Sequence, residues 1–600
     1  MSWLGKLKRV ATLLGPTERL LYLGILAAML GGAAIDVIAV GVLPAYAIAL
    51  NDPESLISNP FAARALHALE LPRPTPTQIL IASSMALVAV YAVKNLYSIL
   101  LATFQLRVSE RHRVRLATEL FDRYLAADYT YFLTHNSSEI LRTVAADSQE
   151  VVVGVVSPLL KALMGLVVSL GTAALLLATM PIAAFAGVSV IGGLGLGMIQ
   201  LSRGRLERHG ADALEKRKAL VKSAYEALSV LPELRVLGRE AHFSAQYRAL
   251  NEEFAALDRM RRMAQLLASP VLELLAVVGL ASIVLFLSVV STPGHSVLPS
   301  LALLAGAVVR LRSAVAQVVE GFNQASYSMA AAARVADDFE ALAPKAKRAA
   351  TEQPLRFETA LRFEDVTFEF AGAPAPALSN VTFEIKPGSF VAFVGATGAG
   401  KSTVLNLLLG LLSPTSGRIT VDGRDLGPVL EGWQRRVGFV PQEVVLIDDS
   451  LERNVALGLD PQNVDPARLA RAVSQAQLDT FVAALPDGLK TLVGERGIRI
   501  SGGEKQRVAL ARALYHDPSV IVMDEGTSAL DNQTESLVMQ ALLQARMGRT
   551  FIVVAHRLTS VEGCDTIHFL EKGRLAASGT YEELLANQPE FRQMAMAKDR

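Results

Sequence analysis

Long apolar stretches dominate the first half of the chain, whereas the second half alternates short apolar runs with polar and charged residues. Among residues 1–335 there is no charge between Arg73 and Lys94, nor from Ala162 to Ser202. A helix needs about 20 mostly apolar residues to cross a bilayer, so these stretches are long enough for one or two crossings each. The pattern predicts six membrane spans. They lie near 20–50, 76–106, 150–178, 181–202, 264–290 and 297–320.

The first 19 residues combine basic and apolar side chains in a helical pattern. The basic residues are Lys6, Lys8 and Arg9, and the apolar residues opposed to them are Trp3, Leu4, Leu7 and Leu14. We therefore predict an amphipathic helix over residues 1–19 that lies at the membrane interface. The apolar run that follows is far longer than the apolar segment of a signal peptide, so we interpret it as a retained span.

The charges between the spans indicate the orientation of the chain. Lys and Arg are concentrated in residues 107–150 and 203–262, whereas the loops on the other side carry only Arg64 and Arg73. By the positive-inside rule, the two basic segments lie in the cytoplasm. An even number of spans then places the N-terminus and the second half of the chain in the cytoplasm as well.

Both cytoplasmic segments have a helical pattern with few Gly or Pro, so the flanking spans are predicted to continue as helices beyond the membrane. Short segments near 128–140 and 222–240, at the tips of these extensions, are then expected to contact the second half of the chain. On the outer side, residues 60–70 have an amphipathic pattern bounded by prolines. They are predicted to form a short helix on the outer membrane surface, the alternative being an ordinary folded loop.

Composition divides the chain into a membrane domain and a soluble domain. The membrane domain covers residues 20–335, a linker rich in Ala, Pro and charge covers 336–355, and residues 356–600 are typical of a soluble α/β domain. The net charge of +1 provides no basic excess for binding nucleic acid. The single cysteine, Cys564, excludes an internal disulfide and a thiolate metal cluster, and it fits a reducing compartment.

The clearest chemical signal is a glycine-rich loop between an apolar strand, Phe390–Val394, and a leucine-rich helical pattern, Val404–Leu412. The loop and its continuation comprise Gly395, Ala396, Thr397, Gly398, Ala399, Gly400, Lys401, Ser402 and Thr403. A strand, a glycine loop and a helix in this order predict a phosphate-binding P-loop, the alternative being a glycine-rich turn. In a P-loop, backbone N–H groups surround the phosphates, Lys401 reaches the terminal phosphates and Ser402 ligates Mg²⁺.

Four further positions have the chemistry of a site that hydrolyses ATP. Asp524 and Glu525 end an apolar strand, where Asp524 is placed to hold Mg²⁺ through water and Glu525 to orient or deprotonate the attacking water. Gln442 is a predicted metal and water contact, and His556, at the end of another apolar strand, can bond the γ-phosphate. Each residue alone also has a structural explanation, as a cap or a buried polar group. Their order along the chain favours a shared site.

The segment Ile500–Arg507 resembles the signature motif of the ATP-binding cassette family, whose first and fifth residues are usually Leu and Gln. Here Ile500 and Glu504 depart from that form. The residues carried over from the motif are Ser501, Gly502, Gly503 and Glu504. Ser501 and Gly503 at a helix N-terminus form an anion site, which in that family closes on the γ-phosphate bound by the partner subunit.

Three other segments resemble the same family. Ser528–Asp531 is similar to its D-loop, which makes Asp531 a candidate contact, and Thr491–Gly497 resembles a segment typical of exporters. Phe370 occupies the place where exporters usually carry a tyrosine that stacks on adenine, and a phenyl ring keeps that stacking face.

The resemblance covers essentially the whole chain and implies an exporter with a helical membrane domain of six spans fused to one α/β P-loop ATPase domain. Such a chain is a half-transporter, and the resemblance implies a homodimer because each P-loop needs a signature motif from a second subunit. ATP and Mg²⁺ are the implied cofactors. Since one sequence supplies both sites and Glu525 is present, both composite sites are expected to hydrolyse ATP.

Within the exporters, the membrane domain looks most like the lipid-linked oligosaccharide flippases of bacterial glycosylation. The similar segments are Ile35–Val40, residues 60–70, Asn136–Leu141, Val309–Leu311 and Gly563–Asp565. In such flippases, basic residues in a central cavity attract the pyrophosphate and the external helix meets the polyprenyl tail. The resemblance implies this role for Lys94 and Arg310, although a third basic position of the family is apolar here, near Val271.

Two alternatives remain open at this point. The charges within the spans, including Asp36, Lys94, Glu273 and Arg310, have a structural explanation as ion pairs across the helix bundle. The transported substrate is expected to be a polyprenyl-pyrophosphate glycan in a bacterial cytoplasmic membrane, the alternative being a lipid, drug or peptide. A membrane-bound sensor without transport is disfavoured because Glu525 is intact.

Overall fold

The computed structural model describes residues 3–51, 75–179, 181–290, 298–342, 355–494, 497–498, 500–524, 548–555 and 561–596. The chain divides into two compact units. The helical unit comprises Met1–Ala127 and Phe132–Pro344, and the C-terminal unit comprises Asp128–Tyr131 and Lys345–Arg600. The predicted outer helix at 60–70 lies outside the described residues, as do Glu525, Asp531 and His556.

The helices before residue 342 are α1 (Trp3–Thr12), α2 (Pro16–Asn51), α3 (Pro76–Leu125), α4 (Tyr129–Thr134), α5 (Ser137–Arg142), α6 (Ser157–Thr179), α7 (Pro181–Ser229), α8 (Leu231–Leu237), α9 (Glu240–Val290) and α10 (Leu298–Ala341). All belong to the helical unit except the first half of α4, which belongs to the C-terminal unit. Two π-helical segments, Thr143–Asp147 and Glu150–Val156, precede α6. Several helices begin at proline, whose missing N–H costs nothing in the first helical turn. Thr75 also caps α3 through a reciprocal pair of hydrogen bonds with Gln78.

The predicted spans fall within six of these helices. Within the described part of the chain, four helical stretches are long and apolar enough to cross a membrane: Pro16–Leu50, Pro76–Leu125, Glu150–Thr179 and Glu240–Ser282. The spans predicted at 181–202 and 297–320 lie in α7 and α10.

Three helices are much longer than a bilayer is thick. α3, α7 and α9 contain 50, 49 and 51 residues. At 1.5 Å per residue each measures about 75 Å, against about 30 Å for the hydrocarbon core. The helices therefore continue well past the predicted spans, and the location of these parts outside the membrane stays a prediction. The short helices α4, α5 and α8 lie at the predicted tips, whose contact with the C-terminal unit stays a prediction.

The N-terminal helix is shorter than predicted and is held by specific contacts. It ends at Thr12, and α2 starts at Pro16, so residues 1–19 do not form one helix. Trp3 is buried and stacks on Phe322 of α10 with 4.9 Å between ring centroids. Lys6 pairs with Glu207 at 2.7 Å, and Arg9 pairs with Asp337. The basic residues thus fasten α1 to α7 and α10.

The predicted linker begins too early. α10 continues to Ala341, so residues 336–341 are helical. Ala336 is buried, and the Tyr124 hydroxyl donates a hydrogen bond of 2.8 Å to Asp338. Because alanine is the best helix former and the charged residues here have partners, a segment that looks like a linker in composition remains part of the helix.

The π-helical stretch before α6 has no counterpart in the sequence-based prediction. It carries Asp147, which is fully buried beside Arg142, with 3.1 Å between the carboxylate and the guanidinium. Burial raises the pKa of Asp147 to about 6, although the positive charge of Arg142 acts in the opposite direction. Single-turn π segments in helices occur frequently at functional sites.

The C-terminal unit contains two sheets. Its strands are β1 (Leu361–Phe368), β2 (Leu378–Ile385), β3 (Phe390–Val394), β4 (Ser416–Val421), β5 (Arg424–Asp425), β6 (Val437–Val440), β7 (Val520–Asp524), β8 (Thr550–Val554), β9 (Thr566–Glu571) and β10 (Arg574–Gly579). A four-stranded antiparallel sheet has the order β2-β1-β4-β5, and a six-stranded sheet has the order β10-β9-β3-β8-β7-β6. β3 and β8 are buried throughout, as expected for central parallel strands.

The helices of this unit are α11 (Lys401–Leu408), α12 (Leu426–Gln434), α13 (Leu451–Val455), α14 (Pro466–Gln475), α15 (Asp479–Ala484), α16 (Gly502–Leu514), α17 (Tyr581–Asn587) and α18 (Pro589–Met596). α16 packs on β6, and its buried side chains, which include Val508 and Leu510, belong to the same apolar core as β7. This packing holds the start of α16 in a fixed position relative to the sheet.

Replacing Trp3 by Ala tests the attachment of α1. We expect the free energy of unfolding of the helical unit to fall by about 3 kcal/mol, because a buried aromatic ring and its stacking contact are lost. Thermal unfolding of the full-length protein in detergent, followed by circular dichroism, measures the change. Lys8→Ala, at an exposed position of the same helix, is the matched control. Equal melting curves for both variants would contradict the assignment.

Candidate nucleotide site and charged membrane cluster

The topology of the six-stranded sheet collects the predicted nucleotide residues at one edge. β3, β8, β7 and β6 are parallel, so their carboxyl ends point the same way. The glycine loop follows β3, Gln442 lies two residues after β6, and Asp524 is the last residue of β7. In open α/β sheets, ligands bind outside the carboxyl ends of the strands. The site predicted from the sequence is therefore assembled here, apart from the positions outside the described residues.

The glycine loop has the conformation that its glycines permit. Gly398 and Gly400 have φ values of 81° and 100°, which lie in the left-handed region. A Cβ atom on Gly395 would lie 2.2 Å from the carbonyl oxygen of Leu570, so a larger residue there would displace backbone. Gly400 is the N-cap of α11, whose first N–H groups are available to bind an anion.

Lys401 reaches back into the loop from the start of α11. It is 5% exposed, and its Nζ atom donates to the carbonyl oxygens of Gly395 at 2.8 Å and Ala396 at 3.2 Å. Ser402 is exposed beside it, whereas Ala399 and Thr403 are buried and anchor the loop to the core. The ammonium group is thus held inside the curve of the loop, where phosphate oxygens would lie.

The residues at this edge fit a magnesium ion in their donor chemistry. Ser402, Asp524 and Gln442 offer a hydroxyl, a carboxylate and an amide oxygen, and Mg²⁺ prefers oxygen ligands. When bound with ATP, Mg²⁺ would neutralise part of the negative charge of the phosphates. Ser402 and Gln442 are exposed and Asp524 is partly buried, so these donors are accessible from the same edge.

Phe370 lies two residues beyond the end of β1. Its side chain is 36% exposed, and its ring meets the ring of Phe368 edge to face at 4.8 Å. An edge-to-face contact fixes the orientation of the ring and leaves exposed area on it, as a platform for a planar base requires.

The signature segment shows what the unusual Glu504 does locally. Ser501 is the N-cap of α16, and its backbone N–H and its hydroxyl both donate to Glu504 Oε2, at 2.8 Å and 2.7 Å. The backbone N–H of Glu504 donates back to Ser501 Oγ at 3.4 Å. This capping box stabilises the helix start, and it places a carboxylate beside the serine. Gly502 is exposed and Gly503 is partly buried at the same turn.

One buried residue of this sheet was missed in the sequence. His568 lies on β9, directly beside Phe393 of β3, and its Nδ1 atom is 2.7 Å from the hydroxyl of Ser578. Its ring packs against Phe383 and Phe393 at centroid distances of 5.0 Å and 5.2 Å. Burial lowers the pKa of His568 to about 4, so the imidazole is neutral at physiological pH.

The helical unit contains a second cluster of predicted residues. Asp36 of α2 is 3% exposed and contacts two cations, Lys94 of α3 at 3.3 Å and Arg310 of α10. A separate pair joins Arg312 to Glu273 of α9 at 3.1 Å. The structure therefore contains the ion pairs across the helix bundle that the sequence analysis gave as an alternative explanation of these charges. The two cations predicted to bind substrate share one carboxylate.

Comparison with known proteins defines the class. A model of the ABC transporter transmembrane region matches residues 21–305, and a model described as ABC transporter matches residues 378–528. Together they cover most of both units, so the chain belongs to the ABC transporters. Because it carries one transmembrane region and one ATP-binding region, it is a half-transporter. The protein hydrolyses ATP and couples hydrolysis to the movement of a substrate across the membrane.

The fold is that of an exporter. The structure of a bacterial Atm1-family ABC exporter with ATP bound matches with a TM-score of 0.76 at 23% identity, over 97% of this chain and 98% of that chain. An ATP-dependent lipid A-core flippase of Thiobacillus denitrificans is 29% identical over 85% of this chain and 88% of its own length. A protein of the same name from Nitrosococcus oceani is 33% identical over 61% of each chain.

Acidification should destabilise the C-terminal unit through His568. Between pH 6.5 and about 4 the unfolded chain binds a proton on this imidazole that the folded chain excludes, so stability falls as the pH falls. We expect a loss of about 2 kcal/mol between pH 7 and pH 5. The chain has two tryptophans, and Trp433 lies in this unit. In a Trp3→Phe background, the fluorescence of Trp433 therefore reports unfolding of this unit alone.

The matched variant for this measurement is His568→Gln, which cannot take up the proton. Its absolute stability is expected to be lower because the packing against the two phenyl rings is poorer. Its dependence on pH between 7 and 5 should nevertheless be weaker than that of the parent. A dependence as steep as that of the parent would assign the acid sensitivity to other groups.

Proposed function

We propose that the chain acts as a homodimer that flips a lipid-linked oligosaccharide, a polyprenyl-pyrophosphate glycan, to the outer leaflet of a bacterial cytoplasmic membrane. The observation that carries this proposal is the cluster of Lys94, Arg310 and Asp36. Two cations and one carboxylate leave a net charge of +1 within the membrane spans. Charges there are costly, so an uncompensated cation favours a role with an anionic ligand over a purely structural role.

The named relatives support a lipid substrate. The curated relatives above are called lipid A-core flippases, and that name describes a large amphipathic glycolipid. A drug or peptide has no comparable support. A phosphorylated glycolipid other than a polyprenyl-pyrophosphate glycan is therefore the second candidate substrate, since its anionic head group could use the same two cations.

The proposed ATPase cycle uses the residues at the edge of the sheet. The glycine loop and Lys401 hold the phosphates, Ser402, Gln442 and Asp524 hold Mg²⁺, and Phe370 stacks on the adenine. Glu525 orients or deprotonates the attacking water, and His556 bonds the γ-phosphate. Sequence position supports these last two roles, because Glu525 follows the last residue of β7 and His556 comes two residues after the end of β8.

The homodimer follows from the division of the site between two subunits. The signature residues at the start of α16 in one subunit would close on the γ-phosphate that the partner subunit's P-loop holds. These residues are Ser501, Gly502, Gly503 and Glu504. Asp531, in the D-loop segment, is a further candidate contact of this composite site. Closure of two such sites by ATP would switch the spans from inward-facing to outward-facing. The N-terminus and the ATPase domain are assigned to the cytoplasm by the basic loops.

Flipping is measured with the purified protein in proteoliposomes that contain a fluorescent polyprenyl-pyrophosphate glycan. We expect movement that needs ATP and falls at least about tenfold in Lys94→Ala and in Arg310→Ala, because each loses a charged contact with the pyrophosphate. Arg312→Ala removes an arginine two residues further along α10 and is the matched control. Vesicles with lipid A-core in place of the glycan test the second candidate. No ATP-dependent movement of the glycan would overturn the proposed substrate.

The role of Glu504 gives a test of the composite site. Glu504→Gln keeps the capping box but removes a negative charge beside the γ-phosphate position, so we expect the KM for ATP to fall by about two- to fivefold. Inhibition by ADP should be unchanged, because ADP lacks the γ-phosphate. The ATP dependence of hydrolysis by the full-length protein provides both values.

A matched control exists in the same unit. Thr580 and Glu583 form the same capping box at the start of α17, where the Thr580 backbone N–H donates to Glu583 Oε2 at 2.9 Å. Glu583→Gln should alter stability to the same small extent and leave the KM for ATP unchanged. If both variants change the KM equally, the effect of Glu504 comes from helix stability and not from its charge at the nucleotide.

A further inference from the structure

Asp36 joins two cations that come from two different helices. It lies on α2, while its two cations lie on α3 and α10. α2 packs closely on both helices, whereas α3 and α10 have few direct contacts with each other. The carboxylate is therefore the connection through which the two cations are held together.

One helical turn before and one turn after Asp36, the side chains of α2 pack in apolar clusters. Ala33, one turn before it, packs with Val168 and Ala314, and Val40, one turn after it, packs in a cluster with Leu303. A carboxylate between two such layers is stable as an anion only when cations neutralise it. The charged contacts of Asp36 are thus those with Lys94 and Arg310.

The two cations are less buried than their shared anion. The side chains of Lys94 and Arg310 are 18% and 25% exposed, against 3% for Asp36. Within the described part of the chain, Arg310 Nε has no hydrogen-bond acceptor. The two cations thus retain some accessible surface although their shared anion has almost none, and the cluster lacks one negative charge.

We propose that Asp36 is an internal counter-anion that competes with the head group of the substrate for Lys94 and Arg310. This inference rests on the proposed function of these two cations. A single phosphate group would gain less, because it offers fewer charged oxygen atoms to the two cations at once. A diphosphate carries more negative charge on two phosphoryl groups and can draw both cations from Asp36, so Asp36 sets the selectivity for diphosphates over monophosphates and limits their affinity.

The test uses the full-length protein in nanodiscs and three probes of equal chain length: farnesyl diphosphate, farnesyl monophosphate and farnesol. The readout is the probe concentration that gives half-maximal stimulation of ATP hydrolysis. In the parent, the diphosphate should act at a lower concentration than the monophosphate, and farnesol should have no effect. In Asp36→Asn, the half-maximal concentrations of both phosphates should fall, by about fivefold for the monophosphate, and the preference for the diphosphate should shrink.

Two variants control for structure and for charge. Asp36→Glu keeps the anion and should retain the preference for the diphosphate. Glu273→Gln removes the carboxylate that pairs with Arg312, a membrane ion pair outside the cluster, and should leave the response to all three probes unchanged. In the double variant Asp36→Asn and Lys94→Ala, the gain in affinity should disappear.

Thermal unfolding provides a readout that does not depend on ATP hydrolysis. Without its counter-anion, Asp36→Asn should melt at a lower temperature than the parent, and the diphosphate should raise its melting temperature more than it raises that of the parent. A ligand that binds elsewhere would raise both melting temperatures equally. A larger rise in Asp36→Asn therefore shows that the diphosphate binds at the cluster that contains Asp36.

The outcomes separate this inference from the proposed function. If the parent responds to the diphosphate through Lys94 and Arg310 but Asp36→Asn binds both phosphates no more tightly, Asp36 does not compete and only this inference fails. If the parent responds to none of the phosphates, both proposals fail. If Asp36→Asn does not fold, Asp36→Glu decides: loss of the preference for the diphosphate, although the anion is kept, would overturn the competition.

Discussion

A charge or a polar backbone group inside a bilayer has no water to bind, and the helical unit is built around this constraint. The backbone meets it with helices, in which every amide bonds within its own segment. The side chains meet it with ion pairs, so Asp36 is surrounded by Lys94 and Arg310, and Glu273 pairs with Arg312. Because these partners lie on different helices, satisfying the charges also ties the helices into one bundle.

In the C-terminal unit, polar groups are placed where they can bind a ligand, whereas those of the membrane helices are paired with one another. Here polar and charged groups are gathered at the carboxyl edge of a parallel sheet. The glycine loop follows β3 at this edge, and α11 begins there, where the first N–H groups of a helix can bind an anion. Apolar strands such as β3 and β8 hold this edge rigid, so the loop does not collapse onto the core.

Much of the fold was accessible from the sequence because its signals are local. Uncharged runs predicted the spans, and the strand, glycine loop and helix around Lys401 predicted the phosphate site. The errors occurred where composition and packing disagree. Residues 336–341 look like a linker, yet their contacts with α3 keep them helical, and α1 stops at Thr12 because the chain turns into α2 at Pro16. Glu504 was recognised as unusual, but its hydrogen bonds to Ser501 were not predicted.

The sequence by itself determined the helices that can cross a membrane and the order of the nucleotide motifs, since both depend on neighbours within a few residues. Only the tertiary structure decided which charges meet. Asp36 and Arg310 are 274 positions apart, and no periodicity connects them. The neutral state of His568 likewise comes from the phenyl rings of Phe383 and Phe393, which distant strands bring to it. Burial and partnership are properties of packing, so they arise only when remote segments come together.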